Sequence, residues 1–83
     1  MNSNMDTIQR GSRVVIEKVE TQEIFTYELS SPETADFSVG KISDQCPLAV
    51  GLKGKRAGDE AVVLICGGLE KFRILKVEPG KQE

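Results

Sequence analysis

Eighty-three residues with 39% hydrophobic and 29% charged side chains describe one ordinary folded domain, not a disordered chain. A domain this small buries only about 60–65% of the surface its unfolded chain exposes, which leaves little room for a deep catalytic cavity. The net charge is −2 with the basic residues scattered, so the basic footprint of a protein that binds nucleic acid on its own is missing.

The lead-in, residues 1–10, is polar apart from Met5 and Ile8 and reads as a flexible, frayed segment. It lacks the basic-then-apolar pattern of a signal peptide, and no apolar run nears the roughly 20 residues that span a bilayer, so the expected setting is the cytoplasm, away from membranes. From Arg13 to Glu20 the chain is β-branched and half apolar. After Thr21-Gln22 it alternates, with Phe25, Tyr27 and Leu29 on one face. These two runs predict an antiparallel hairpin with a tight connection. Residues 30–40 are dense in turn formers, with Phe37 and Val39 as the expected anchors of the longest loop. Loops held on rigid sheets are where binding contacts tend to sit.

Lys41 to Asp44 predicts a third short strand around Ile42. A short helix follows: Pro47 suits its first turn, Gly54 its exit, and Leu48 and Leu52 share a face. Ala61 to Cys66 is continuously apolar, as for a strand covered on both faces, and Gly67-Gly68 supplies a two-residue hairpin turn. In the return strand, from Leu69 to about Val77, the period of two slips between Ile74 and Leu75; a bulge or coverage on both sides would explain it. Pro79-Gly80 ends the strand, leaving the folded domain at 11–79 and a tail at 80–83. The expected architecture is α+β, an antiparallel sheet folded against one short helix.

Histidine is absent, which excludes Ser-His-Asp and Cys-His nucleophile arrangements and every zinc site that uses an imidazole. Four aromatic residues, Phe25, Tyr27, Phe37 and Phe72, are too few for a base-stacking platform and read as core. Gly51-x-x-Gly54-Lys55-Arg56 lacks the spacing of a phosphate loop. Lys53, Lys55 and Arg56 read as a solvated patch matched to the helix dipole, or as a contact for an acidic partner. The acidic residues show no ligand-like spacing, and Asp59 after Gly58 reads as a turn stabiliser. Cys46 and Cys66 form no disulfide framework and read as reduced thiols, Cys46 at a helix N-cap. Neither a cofactor nor a metal ion is expected.

Taken in order, a set of short segments carries a family resemblance. They are Gly11-Ser12, Phe25-Thr26-Tyr27, Glu33-Thr34-Ala35-Asp36, Gly40-Lys41-Ile42-Ser43, Pro47-Leu48-Ala49, Leu52-x-Gly54-Lys55, Gly58-Asp59, Gly67-Gly68 and Lys76-Val77-Glu78. In this order and spacing the chain resembles the C-terminal domain of the bacterial transcript-cleavage and elongation factors GreA and GreB, which has an FKBP-like fold. The resemblance implies docking to RNA polymerase at the rim of its secondary channel. The family's contact lies around an Asp-Ser-Pro segment before the helix. Here Pro47 matches, Gln45 stands for the acid and Cys46 for the serine. Asp44 lies one position early, where an extended strand turns it to the opposite face. The implied contact residues are Asp44, Gln45, Cys46 and Pro47, joined by Glu33 and Asp36 of the long loop.

Family members that stimulate RNA cleavage carry an N-terminal coiled coil whose acidic tip reaches the polymerase active site. About ten residues precede the first strand here, a reach of at most about 33 Å when extended. The expected function is thus non-enzymatic: polymerase binding that modulates elongation without stimulating cleavage. The alternatives are an interaction domain with an unrelated partner, and an FKBP-like prolyl isomerase. The isomerase rests on fold analogy and requires an aromatic-lined cleft that one Tyr and no Trp can scarcely build. The outer strands of a small open sheet leave association of two copies open.

Overall fold

Val14, Val15 and Ile16 commit the chain to strand β1, Arg13–Lys18, because β-branched side chains pack best on a pleated surface. It returns as β2, Glu23–Ser30, in antiparallel register with Arg13 opposite Glu28 and Lys18 opposite Glu23. The connection is residues 19–22, longer than Thr21-Gln22 alone, and Gln22 takes a positive φ of 65° as it donates its N–H to the Lys18 carbonyl at 2.6 Å. The computed structural model describes residues 7–65 and 67–78. The expectations for Cys66, for the stretch 1–6 and for the tail after Glu78 lie outside the described residues.

Along its other side β1 pairs with β5, Gly68–Glu78, and β5 pairs in turn with β4, Glu60–Ile65. The predicted slip in β5 is a bulge. Val15 faces Lys76 while Ile16 faces Ile74, which leaves Leu75 as the extra residue. The bulge returns Val77 to the core face opposite Val14, where it packs against the buried cluster. The β4–β5 ladder closes at Ile65 opposite Gly68. Gly67, at φ 83°, therefore belongs to the connection and Gly68 already to β5, one residue earlier than the sequence suggested.

Three of the four strand pairings are antiparallel, as expected. The fourth is not: β3, Lys41–Ser43, runs parallel to β2 with Leu29 opposite Ile42, so the sheet of order β3-β2-β1-β5-β4 is mixed. The long loop explains this, because it reverses the chain twice. After a first turn, in which the Thr34 N–H reaches the Ser31 carbonyl at 3.1 Å, Asp36 and Lys41 exchange two backbone hydrogen bonds of 2.8 and 3.0 Å around a 3-10 turn at Phe37–Val39. Gly40 makes the second reversal at φ 81°, and a Cβ there would stand 3.3 Å from the Thr26 carbonyl oxygen. Phe37 and Val39 do not anchor this loop in the core. They stand 71% and 66% exposed.

Helix α1, Pro47–Leu52, opens with Pro47 in its first turn and leaves through Gly54 at φ 83°. Its Ala49 and Leu52 join Val14, Ile16, Leu29, Ile42, Ala61, Val63, Phe72 and Ile74 in the buried cluster, with Leu48 packed at the margin. Ile8 belongs to the same cluster. Its N–H donates to the Lys55 carbonyl and its carbonyl accepts from Gly54, both at 2.9 Å, while Thr7 bridges to Arg56. The lead-in is thus not frayed from Thr7 onward, because burying Ile8 and pairing its backbone outweigh the entropy of a short tether. β4 departs from expectation as well. Only Ala61 and Val63 are buried, whereas Val62 and Leu64 are 56% and 60% exposed. β4 is an edge strand with α1 on one face only, so its apolar run is half wasted on solvent.

α1 can lie this close to β4 because Gly51 has no side chain: a Cβ there would meet Val63 Cγ2 at 2.6 Å. Alanine favours a helix over glycine by about 1 kcal/mol, yet Gly51→Ala is expected to destabilise the fold by about 1–3 kcal/mol through overpacking against a stiff β-branched neighbour. Val63→Ala in the same chain should recover part of that loss. Urea denaturation of the two single variants and the double variant gives the coupling.

Candidate partner-docking site

The site forms where the two edges of the sheet meet the first turn of α1. β3 and β4 are the outermost strands, yet the sheet curls far enough that residues of both line one groove of about 570 Å³. Lys41, Ile42 and Ser43 come from β3, Leu64 and Ile65 from β4, and Cys46, Pro47 and Leu48 from the start of the helix. Tyr27 of β2 and Ala35 and Phe37 of the long loop complete it. Lys41 is the one charged residue of this otherwise largely apolar lining.

One wall is aromatic. Phe25 and Tyr27 stack with centroids 6.0 Å apart and planes at 11°, and Tyr27 and Phe37 stack at 5.9 Å and 27°. Each such pair adds about 0.5–1.5 kcal/mol beyond area burial, which holds an exposed ring in place. Asp36 supports the same ring from below. Its carboxylate accepts from the Ser38 N–H at 3.1 Å and the Ser38 hydroxyl at 2.6 Å, capping the turn that carries Phe37. Those two bonds hold the Asp36 carboxyl below its ordinary pKa. Burial pushes the Tyr27 phenol up, and the neighbouring Cys46 thiol adds to the shift.

The six residues expected to make contact separate into two groups. Cys46 and Pro47 line the groove. Asp44, Gln45, Glu33 and Asp36 do not. Asp44 is buried beside the groove, where its Oδ2 accepts from Arg10 Nε at 2.8 Å and its Oδ1 has no hydrogen-bond partner. Glu33 is exposed and close enough to act on the Arg10 charge. Gln45 is exposed, its N–H bonded to the Ser43 hydroxyl at 3.1 Å, and Asp36 is occupied by its own loop. Asp59, as expected, stabilises a turn: its carboxylate accepts from the Arg56 N–H at 2.9 Å. Sequence reasoning missed Tyr27, Ala35, Phe37, Lys41, Ile42, Ser43, Leu48, Leu64 and Ile65 as site residues. The available signal was Phe37, a large aromatic alone in a polar loop. Among the described residues no group of three or more Cys, Asp or Glu is placed to hold a metal ion.

Comparison with known proteins bears on what this groove is. The family described as "Transcription elongation factor, GreA/GreB, C-term" matches residues 2–79. The chain belongs to this family. Among curated relatives, GreA of Psychrobacter cryohalolentis is 43% identical over 67 residues, covering 81% of this chain and 42% of that protein. GreA of Acinetobacter baumannii is 38% identical over 68 residues, covering 82% and 43%. This Gre domain therefore spans about two fifths of the length of the curated relatives it matches. Among solved structures, GreA factor homolog 1 of Thermus thermophilus superposes with a TM-score of 0.76 at 28% identity, over 94% of this chain and 52% of that one. The GreA/GreB factor of Nitrosomonas europaea gives 0.72 at 29% identity, over 89% and 62%. The α+β, FKBP-like architecture implied by the sequence resemblance is the one these relatives share.

Two measurements test the site's construction. Hydrogen bonding from Arg10, aided by its charge, holds the Asp44 carboxyl below its ordinary value against the opposing effect of burial. A carboxylate with a lowered folded pKa contributes stability that is full above the unfolded value, about 3.9, and is lost as pH falls through the folded one. Arg10→Gln is expected to raise the Asp44 pKa in a carboxyl NMR titration and to flatten the loss of stability below about pH 4. Cys46 is the helix N-cap with no side-chain bond to the helix. Cys46→Ser is expected to supply one and raise stability by about 0.5–1 kcal/mol in thermal or urea melts.

Proposed function

We propose that this Gre domain is a docking module that binds RNA polymerase at the rim of its secondary channel and modulates elongation in the cytoplasm, without chemistry of its own. The observation that carries the reading is the groove itself. It unites Cys46 and Pro47, which stand where the family resemblance puts the contact segment, with the exposed Phe37 ring on one largely apolar surface. A ring standing clear of the surface gains most when a partner covers it, and such anchors dominate the energetics of interfaces. Asp44 is turned onto Arg10 and does not replace the acid of the family's segment, so Gln45 and Glu33 supply polar rim contacts and the apolar groove supplies the grip. The net charge of −2 suits a protein partner better than nucleic acid. In this proposal these 83 residues contribute the grip and do not stimulate transcript cleavage.

One observation favours a second reading. Tyr27 and Phe37 wall the groove, so the aromatic lining that a prolyl isomerase needs is present after all. Docking is preferred because the rings stack on one another along a single wall, with Phe37 71% exposed, and do not enclose a proline.

Pull-down with core RNA polymerase is expected to show binding at micromolar concentration, displaced by full-length GreA. Phe37→Ala, a change at an exposed position, should weaken it about tenfold or more. Absence of binding would sink the docking reading, and acceleration of prolyl isomerisation in a peptide assay would favour the second.

A further inference from the structure

The two edges of the sheet are managed differently. β3 is three residues long and is shielded by the Asp36 bridge to Lys41. Short edge strands and covered edges are standard protection against unwanted strand pairing. β4 has neither. It is six residues long, pairs with β5 alone among the described residues, and carries no proline, lysine or bulge along Glu60–Ile65. Its outer face presents Val62 and Leu64 to solvent, and Leu69, directly opposite Leu64 on β5, is 71% exposed. An apolar, unguarded edge of this length is a template for another strand.

We propose that the free edge of β4 is a self-association surface, where two copies of this chain join their sheets in antiparallel register about a two-fold axis at Val63. The strand's own pattern argues for a second copy as the occupant, and for this register. Antiparallel pairing of a strand with itself keeps the inner and outer faces of the two sheets continuous only if residues of like face stand opposite one another. Centring on Val62 would set the Glu60 carboxylate against an apolar Leu64. Centring on Val63 sets Val62 against Leu64 on the outer face. On the inner face it sets the small Ala61 against the large Ile65, so volumes complement as well as polarity. Glu60 then falls beyond the second copy's strand, where its carboxylate is already engaged by Arg73 at 3.2 Å and Lys71 at 3.7 Å. No like charges face each other across the seam. The contact is isologous, the commonest way a soluble chain pairs with itself.

Sedimentation equilibrium on the full chain in reducing buffer, from about 5 μM to about 1 mM, should show the mass rising from one chain to two within a range typical of weak association. Hydrogen exchange on the unmodified protein should find the β4 amides not bonded to β5 protected at the high end of that range and exchanging at the low end. Val62→Lys, at an exposed position outside the groove, and Leu64→Lys, on the groove's β4 wall, should each move the association midpoint at least tenfold higher while circular dichroism stays native. A single-chain mass at 1 mM overturns the proposal. So does a dimer that both lysine variants leave intact, or one in which the β4 amides gain no protection.

Discussion

The close approach of α1 to β4 at Gly51 against Val63 is the contact on which the rest of this domain depends. A six-residue helix is far below the length at which helices persist in water, so α1 exists only because Ala49 and Leu52 are buried against the sheet. That burial needs the helix axis to sit where a Cβ at residue 51 would collide with a valine methyl. Once it sits there, the chain has been carried from β3 at one edge of the sheet to β4 at the other, and the sheet is obliged to curl. The groove is the space left between those edges, and its end is the helix's own first turn.

The same constraint sorts the polar residues around the groove. Asp44 ends up behind the lining, where a carboxylate cannot remain without a partner, and Arg10 reaches it from the segment that Ile8 anchors. Its second oxygen stays unpaired, so the ion pair is a means of tolerating a buried charge more than a source of stability. Asp36 is spent on its own loop, and what it holds in place is Phe37. A surface results whose wall is apolar, whose neighbouring Asp36 and Asp44 are already committed, and whose lone lining cation is Lys41. Such a surface is suited to recognising shape and apolar contact, with charge in a minor role.

The opposite face of the sheet shows a different economy. Arg73 with Glu17 and Glu60, and Lys71 with Glu60, lay ion pairs across β1, β5 and β4, all at least partly exposed and individually weak. They keep the middle of that face wet. The polar pattern stops at the end of β4, where Val62 and Leu64 take over, and that boundary coincides with the edge that has no strand beside it.

The hairpin of β1 and β2, the slip in β5, the proline start and glycine exit of α1, and membership of the Gre family were all legible from the chain, because each is local chemistry: side-chain alternation, a fixed φ, a freed φ, or an ordered string of short segments. The parallel pairing of β3 was not, since it depends on two reversals in one loop, the second of them held by Asp36 and Lys41. Nor was the solvation of Val62 and Leu64, because a continuous apolar run looks the same whether one face or two will be covered. Ile8 in the core, Phe37 out of it and Asp44 facing inward were likewise decided only by the tertiary structure. Residue type sets how strongly a side chain prefers burial, but which side chains obtain it depends on where distant strands and one short helix bring the walls together.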